Sequence, residues 1–269
     1  MKIYIHQTKI DEKPEINFKY LYEVFEKNLH VDIIVCPEVF LSGFDFKNLE
    51  SVVKENEIYL QKIRALCKSS RTAFLASFLW KDKNRFYNRA FFVDELGDFL
   101  GIYDKQRLIP AFKEEKYLSA GITSGIFTFK GMRIGLAVCY DLRFPELFRK
   151  YAAKEADLIF VVAQWPLERI EHMIALAKAR AIENQCYVIV ANAVGQCGNH
   201  VMGGHSLAIG PKGDIFLDLG ASKKGAEIQV HLADVLKWRD EFPALYQYSR
   251  PGIFNPSFLS RFLPGRFGK

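Results

Sequence analysis

The 269-residue sequence has few cysteines and no long hydrophobic run, and both shortages limit what the protein can be. Its five cysteines are an odd number and too few for a disulfide-bonded scaffold in a chain of this length, so we expect free thiols. No segment approaches the roughly 18 to 20 apolar residues that cross a bilayer. The first residues lack the apolar region of a signal peptide. These features predict a cytoplasmic protein with no membrane partner.

Motifs that bind metal ions or nucleotides are also missing. The six histidines form no HExxH motif and no cysteine–histidine pair at zinc spacing, and no Gly-rich phosphate loop is present. Lys and Arg number 37 against 31 Asp and Glu, but no basic run marks a nucleic-acid-binding arm. The sequence therefore predicts no metal, no nucleotide cofactor and no nucleic acid partner.

What the chain does have is apolar sequence along its whole length, 49% of all residues, so a sizeable core can form. No linker or repeat divides it, which predicts a single domain over residues 1–269. Apolar β-branched runs alternate with amphipathic helical segments, the pattern of an α/β protein with strands buried on both faces. Several hairpins are also indicated, and the mixture favours helices packed outside mixed sheets.

Turn and capping residues predict where these elements begin and end. Hairpins are predicted at Leu96–Asp98, at Lys130–Gly131 and within the segment HSLAIGPKGDIFLDL, and helices are predicted from Pro14, near residue 49, after Pro145 and from Pro166 to Asn184. The last segment, about 232–269, is predicted to contain one short helix and an aromatic tail.

Three ionisable residues follow predicted strands, where α/β proteins usually build their sites. Glu38 follows VDIIVC, Lys105 follows FLGIY and Cys139 follows MRIGLAV. A carboxylate can accept a thiol proton, a thiolate is a nucleophile, and an ammonium group can stabilise the anions that form. The three residues are therefore a candidate set for nucleophilic attack by cysteine.

Each of the three also has a structural explanation. A cysteine at the end of an apolar strand is often a small buried hydrophobic side chain, and a lysine in a loop is usually solvated. Glu38, directly after a proline at a strand end, is harder to explain in this way. The structural interpretation is preferred for Cys36, Cys67 and Cys186, and Cys197, in a Gly-rich loop, is interpreted as a bystander without a role.

The segments around the three residues resemble motifs of the nitrilase, or carbon–nitrogen hydrolase, superfamily. They are CPEVFLSGF around Glu38, YDKQRL around Lys105 and VCYDLRFPELFR around Cys139, in that chain order. The resemblance extends from residue 1 to about residue 250. It implies a four-layer αββα sandwich with mixed sheets that pairs with a second copy, and cofactor-free hydrolysis of a small non-peptide amide.

Within the superfamily, the segments CYDLRFPE and ARAIENQCYV resemble the omega-amidase branch. That resemblance implies ω-amides of small 2-oxo acids as substrates, such as 2-oxoglutaramate and 2-oxosuccinamate. Arg107 and Ile109 after the lysine, and Gln164 in place of an asparagine, depart from common family patterns. These departures concern the pocket and therefore the identity of the amide.

The family also has a fourth acidic residue in the loop after the lysine. Aligned by length, the segment YDKQRLIPAFKEEKYLSAG places Glu114 at that position, with Glu115 as the rival. For either residue the structural alternative is a solvated charge in the KEEK run.

The resulting hypothesis gives each site residue a role. Glu38 takes the proton of Cys139, whose thiolate attacks the amide carbonyl. Lys105 and the backbone N–H of Tyr140 hold the oxyanion. The thioester is then hydrolysed by a water that Glu38 activates and that Glu114 helps to position.

Two further residues are predicted to contact the substrate. Arg143 is the candidate for binding a substrate carboxylate, although it could instead hold the turn after Cys139. Trp165 is the candidate for a pocket wall, with ordinary core packing as its alternative.

Other functions stay open at this point: a deaminated glutathione amidase, a carbamoyl-amine or nitrile hydrolase, an inactive binding protein with the same fold, or a redox-sensing thiol protein. Against the redox function, no second cysteine lies close in sequence to Cys139. A homodimer or higher homo-oligomer is expected. Its candidate surfaces are the helix face around Met173 to Ala181 and the aromatic tail at about 250–269, with Phe254, Phe258, Phe262 and Phe267.

Overall fold

Two six-stranded mixed sheets face each other in the computed structural model, which describes residues 1–28 and 30–245. The first sheet has the strand order β14-β1-β2-β3-β4-β5 and the second has β13-β12-β9-β8-β7-β6. The strands of the first sheet are β1 (Lys2–Gln7), β2 (Ile33–Val35), β3 (Ala73–Asp82), β4 (Arg85–Val93), β5 (Phe99–Asp104) and β14 (Lys224–Gln229). Those of the second are β6 (Gly125–Phe129), β7 (Met132–Val138), β8 (Leu158–Ala163), β9 (Tyr187–Asn192), β12 (Leu207–Ile209) and β13 (Ile215–Asp218).

Helices cover the outer face of each sheet. They are α1 (Pro14–Lys27), α2 (Leu49–Ser70), α3 (Pro145–Ala153), α4 (Ile170–Asn184) and α5 (Leu232–Glu241). A small separate hairpin is formed by β10 (Val194–Cys197) and β11 (His200–Gly203). Among the described residues, no helix has both the length and the apolar character needed to span a membrane.

The four layers follow from alternation along the strands, because successive side chains of a strand point to opposite faces. In β2, Ile33 and Val35 are part of the core between the sheets. Ile34 belongs instead to the cluster that α1 and α2 form against the outer face. Both faces are buried, which explains the continuous apolar run. The predicted αββα sandwich with mixed sheets is confirmed.

Helix α4 packs on the second sheet through a stripe at four-residue spacing. Met173, Ala177 and Ala181 are fully buried in the core. The apolar part of the segment that was predicted as a dimer surface is therefore core of the chain itself. The tail at about 250–269, the other candidate surface, lies outside the described residues. The homo-oligomer itself stays a prediction.

The predicted hairpins are present, and the structure adds two more. The turns at Leu96–Asp98 and Lys130–Gly131 connect β4 to β5 and β6 to β7. The pairing of β3 with β4 up to Asp82 and Arg85 was not predicted, because the charged KDKNRF segment has no apolar alternation. The Gly-rich hairpin of β10 and β11 was not predicted either, and the predicted start of α4 at Pro166 is too early. A short 3-10 helix, Leu167–Arg169, precedes α4.

Candidate active site

Four strands end at the same place, and each delivers one polar residue there. Glu38 comes shortly after β2 and Lys105 directly follows β5, both in the first sheet. Cys139 directly follows β7 and Gln164 directly follows β8, both in the second sheet. Because the carboxyl ends of these strands meet between the two sheets, residues far apart in sequence come together, as expected for α/β folds.

Glu38 is completely buried and each of its carboxylate oxygens has donors. Oε1 accepts hydrogen bonds from Asn88 Nδ2 at 2.7 Å and from Lys105 Nζ at 2.9 Å. Oε2 accepts one from the backbone N–H of Gln164 at 3.0 Å, and the Gln164 side chain donates to the Glu38 carbonyl at 2.9 Å. These contacts fix the carboxylate in one orientation, as a general base requires.

Lys105 lies between two carboxylates. Its ammonium group donates to Glu38 Oε1 and to Glu114 Oε1, both at 2.9 Å, and the side chain is buried. Burial alone would lower the pKa of Lys105, but the charges of Glu38 and Glu114 outweigh it and raise the pKa above its ordinary value. The side chain is therefore a permanent cation.

Glu114, and not Glu115, is the acidic residue that reaches this cluster. Glu114 is buried, and its Oε2 accepts from the backbone N–H of Ile109 at 2.8 Å, while Glu115 is exposed. Burial raises the pKa of Glu114, Lys105 opposes the rise and the charge of Glu38 adds to it. The rival residue named from the sequence is thus a solvated charge.

Cys139 sits at a sharp turn between β7 and a 3-10 helix, Cys139–Arg143. Its φ of 45° lies in the left-handed region, which is strained for a residue with a side chain. Burial, and next the charge of Glu38, raise the pKa of the Cys139 thiol well above its ordinary value, although Lys105 lowers it. The raised pKa favours the thiol over the thiolate, so attack needs a base.

The backbone N–H of Tyr140 belongs to the first turn of this 3-10 helix. N–H groups in a first helical turn have no acceptor within the helix. They carry the positive end of the helix dipole and suit a developing oxyanion. Tyr140 directly follows Cys139, so its N–H is a candidate oxyanion donor, and that role stays a prediction.

A cavity of about 380 Å³ opens beside Cys139. Its wall is mainly apolar, with Phe44, Ile109, Phe112 and Trp165 among the lining residues. Trp165 is buried, and its indole N–H donates to the carbonyl of Arg169 at 2.8 Å. Trp165 is thus part of the core and also a wall of the cavity, so the two sequence interpretations, core packing and pocket wall, do not exclude each other.

Two half-buried arginines, Arg143 and Arg169, line the same cavity. The Arg143 guanidinium lies 4.8 Å from the centre of the Trp165 ring, and Nη2 is 3.4 Å from Nδ1 of His172. Arg169 forms an ion pair with the exposed Glu168 at 3.3 Å. A guanidinium group beside an apolar wall suits an anionic ligand with a short carbon chain.

Three residues of this site were not among the sequence candidates. Asn88 lies inside β4, and a single polar residue in a strand gives no sign of its role. Gln164 drew attention only as a departure from a family pattern. Arg169 ends the 3-10 helix before α4 and has no motif of its own. Only the fold brings Gln164 and Arg169 to the cavity and Asn88 to the Glu38 carboxylate.

Among the described residues, no group of three or more His, Cys, Asp or Glu side chains could hold a metal ion. The site instead combines a fixed carboxylate, a permanent cation, a protonated thiol and a free backbone N–H. Such a set can transfer a thiol proton, form a covalent bond to a carbonyl carbon and stabilise the resulting oxyanion.

Comparison with known proteins agrees with this chemistry. The family model for carbon–nitrogen hydrolase matches residues 16–240. A relative from Bacillus subtilis, named 2-oxoglutaramate amidase, is 33% identical over 234 residues, which cover 86% of this chain and 90% of the relative. Omega-amidase YafV from Escherichia coli K12 is 34% identical over 216 residues, or 79% of this chain and 82% of the relative.

Solved structures show the same architecture. A carbon–nitrogen hydrolase superfamily protein from Xanthomonas campestris, with an arsenic adduct in its active site, has a TM-score of 0.85 and 28% identity, and the match covers 91% of this chain and 96% of that one. A Nesterenkonia amidase mutant whose active-site cysteine carries the acetamide moiety of fluoroacetamide has a TM-score of 0.79 and 25% identity, with coverage of 88% and 92%.

Proposed function

The chain belongs to the carbon–nitrogen hydrolase family, and from that premise we propose that it hydrolyses ω-amides of small 2-oxo acids through a thioester on Cys139. One observation carries the proposal: the cluster of Glu38, Lys105 and Glu114 lies beside Cys139 at a cavity that two arginines also line. The names of the relatives, 2-oxoglutaramate amidase and omega-amidase, point to the same substrates.

Acylation begins with proton transfer from the Cys139 thiol to the Glu38 carboxylate. The sulfur then forms a bond to the amide carbon, and the carbonyl oxygen becomes an oxyanion held by the Lys105 ammonium and the Tyr140 backbone N–H. When the C–N bond breaks, the leaving nitrogen takes the proton from Glu38 and departs as ammonia. Cys139 is left as a thioester.

Deacylation uses the same groups in reverse. Glu38 accepts a proton from water, and the resulting hydroxide attacks the thioester carbon. The C–S bond breaks, the sulfur takes the proton back from Glu38, and the acid leaves and gives its own proton to solvent or to the released ammonia, ending as a carboxylate. Glu114 also binds the Lys105 ammonium, so that the oxyanion donor stays in place through both steps.

The substrate end of the cavity suits an anion. In this proposal Arg143 binds the carboxylate at the far end of the substrate, and Arg169 is a second donor for the carboxylate or the neighbouring 2-oxo group. Trp165 and the other apolar wall residues contact the short carbon chain between the two ends. A neutral amide would offer no anionic partner to the Arg143 guanidinium, whose described neighbours are the rings of Tyr140, Trp165 and His172.

We also propose that the chain acts as one domain, in the cytoplasm, and assembles into a homodimer or higher homo-oligomer. Shared ancestry with enzymes of this family supports these expectations. Sedimentation of the full chain at micromolar concentration tests the assembly, and a monomer there would reject it.

Ammonia release tests the reaction. Wild type, Cys139→Ala and Cys197→Ala are compared on 2-oxoglutaramate, 2-oxosuccinamate, deaminated glutathione and a carbamoyl amine. Cys197 is the matched control because it is a free thiol that is not among the cavity-lining residues. We expect the 2-oxo acid amides to give the highest kcat/KM, Cys139→Ala to be inactive and Cys197→Ala to be unchanged. Full activity of Cys139→Ala would overturn the mechanism, whereas a preference for deaminated glutathione would change only the substrate.

The role of the arginines is tested separately. Arg143→Met and Arg169→Met should raise KM for 2-oxoglutaramate about tenfold or more, since each charged hydrogen bond contributes about 1.5 to 3 kcal/mol. The KM for a neutral amide such as propionamide should change little. Arg107→Met is the control, because the Arg107 guanidinium lies 4.9 Å from the centre of the Phe144 ring and Arg107 is not among the cavity-lining residues. An unchanged KM in both variants would mean that the anion binds elsewhere.

A further inference from the structure

A buried carboxylate that the proposed mechanism does not use lies two residues after Cys139. Asp141 has no exposed surface. Its Oδ2 accepts hydrogen bonds from the Tyr103 hydroxyl at 2.8 Å and from the backbone N–H of Val138 at 3.1 Å. Its Oδ1 accepts one from the backbone N–H of Arg107 at 2.8 Å. One carboxylate thus binds three donors from three places in the chain.

These donors flank the two reactive residues. Tyr103 and Arg107 lie two residues before and two residues after Lys105, and Val138 directly precedes Cys139. Tyr103 is on β5 of the first sheet and Val138 ends β7 of the second. The Asp141 carboxylate therefore connects the two sheets at the point where each delivers its reactive residue.

We propose that Asp141 is a positioning residue that fixes the Lys105 ammonium relative to the Cys139 sulfur. The inference rests on the proposed function in that it assigns Lys105 and Cys139 their roles in amide hydrolysis. A strained turn such as that of Cys139 persists only when its surroundings hold it, and the Asp141 carboxylate closes this turn by accepting from the Val138 N–H, directly before Cys139. The same carboxylate holds the backbone that follows Lys105.

Only the ionised form of Asp141 can accept all three hydrogen bonds without conflict. A neutral carboxyl group carries an O–H: facing a backbone N–H it loses that contact, and facing the Tyr103 hydroxyl it becomes the donor, so that Tyr103 no longer donates to Asp141. Burial raises the pKa of Asp141 to about 6, although the Tyr103 hydroxyl, the two backbone N–H groups and the Lys105 charge oppose the rise. The other titratable group near it is Tyr151, whose own pKa burial raises, so that it stays neutral.

The test compares kcat of wild type and Asp141→Asn from pH 5 to pH 8. Misplacement of a reacting group by about 1 Å can cost about 100-fold in rate, so we expect a wild-type to Asn ratio of about 100 at pH 8, with KM changed little. The ratio should fall toward one below pH 6, because neutral Asp141 has the same single-acceptor character as asparagine. Glu114 is present in both proteins, so its titration affects both and cancels in the ratio.

Asp157→Asn is the matched control. Asp157 is also buried and accepts from the Arg133 backbone N–H at 2.9 Å and from Arg239 Nη1 at 3.0 Å, at the opposite end of β8 from the site. This variant should lower the thermal stability and leave kcat unchanged. A ratio for Asp141→Asn that does not vary with pH, or an effect on KM alone, would show a merely structural role.

Two further measurements keep the proposal testable. If Asp141→Asn does not fold, Tyr103→Phe is used instead, because it removes one of the three donors and keeps the ring. We expect kcat of Tyr103→Phe to fall several-fold at unchanged KM, and an unchanged kcat would contradict the proposal.

Iodoacetamide alkylation of Cys139, followed by intact mass, needs no substrate. If wild type hydrolyses none of the amides, the proposed function fails, but a pH-dependent alkylation ratio between wild type and Asp141→Asn would still support the positioning role.

Discussion

Glu114 and Glu115 are adjacent in sequence but have opposite environments, which makes them a natural pair of variants. Glu114 is buried and binds the Lys105 ammonium at 2.9 Å, whereas Glu115 is exposed. In Glu114→Gln an amide N–H₂ must face either the ammonium group or the Ile109 backbone N–H, and Lys105 should shift away from its place beside the cavity. We expect kcat to fall on the order of 100-fold, and Glu115→Gln to match wild type. Equal activity of both variants would remove Glu114 from the mechanism.

His6 predicts a pH dependence of stability that has nothing to do with catalysis. The ring is buried between Tyr4 and Phe40, and neither nitrogen has a hydrogen-bond partner among the residues described. Burial, with a smaller effect of the Lys223 charge, lowers the pKa of His6 to about 4. The unfolded chain therefore takes up this proton first, at its ordinary pKa of about 6.5.

Because His6 is protonated in the unfolded chain at a higher pH than in the folded chain, lowering the pH favours unfolding. The His6 contribution to stability is complete above pH 6.5 and is lost as the pH falls from 6.5 to 4, by about 3 kcal/mol in total. Urea unfolding at several pH values, for wild type and His6→Leu, isolates the contribution. The two free energies of unfolding should differ by a pH-dependent amount over this interval only. A constant difference would mean that His6 keeps its ordinary pKa in the folded protein.

At the scale of the element, strand ends were the informative feature of the sequence. Glu38, Lys105 and Cys139 could be identified because each stands just after an apolar run, and buried strands are easy to recognise from such runs. Asn88 could not be found, because it lies inside β4 and acquires its role only through its 2.7 Å contact with Glu38 on another strand. Local patterns specify strands and turns, but they carry no information about which strands become neighbours.

The same distinction explains the errors in the elements themselves. The hairpin of β10 and β11 is polar and Gly-rich, and it has neither the alternation nor the apolar run that indicates a strand. Its place is set by tertiary contacts: His200 hydrogen-bonds to Glu168 at 3.1 Å, and its ring centre lies 5.0 Å from that of Phe112. Helix α4 begins later than Pro166 predicts, because the residues before it form a 3-10 turn in which the Arg169 N–H donates to the Pro166 carbonyl at 3.1 Å.

At the scale of the whole molecule, the two ends of the described chain complete one sheet. Strand β14 pairs with β1 along its full length, from Lys2 opposite Gln229 to Gln7 opposite Lys224. The other five strands of the first sheet come from the first 104 residues. Strand β14 follows all strands of the second sheet in sequence, so the first sheet is incomplete until that part of the chain is present. The core between the sheets also contains residues of both.

This topology predicts that neither sheet is stable without the other. Calorimetry should show one unfolding transition, with the van't Hoff enthalpy close to the calorimetric enthalpy, and scans at several concentrations separate unfolding from any dissociation of subunits. A chain that ends at residue 206 should be unfolded throughout, because it leaves the edge of β1 unpaired and deprives Gln7 of its hydrogen bonds to Gly220 and Ser222. Two separate transitions, or a folded first sheet in the shortened chain, would show that the halves are independent domains.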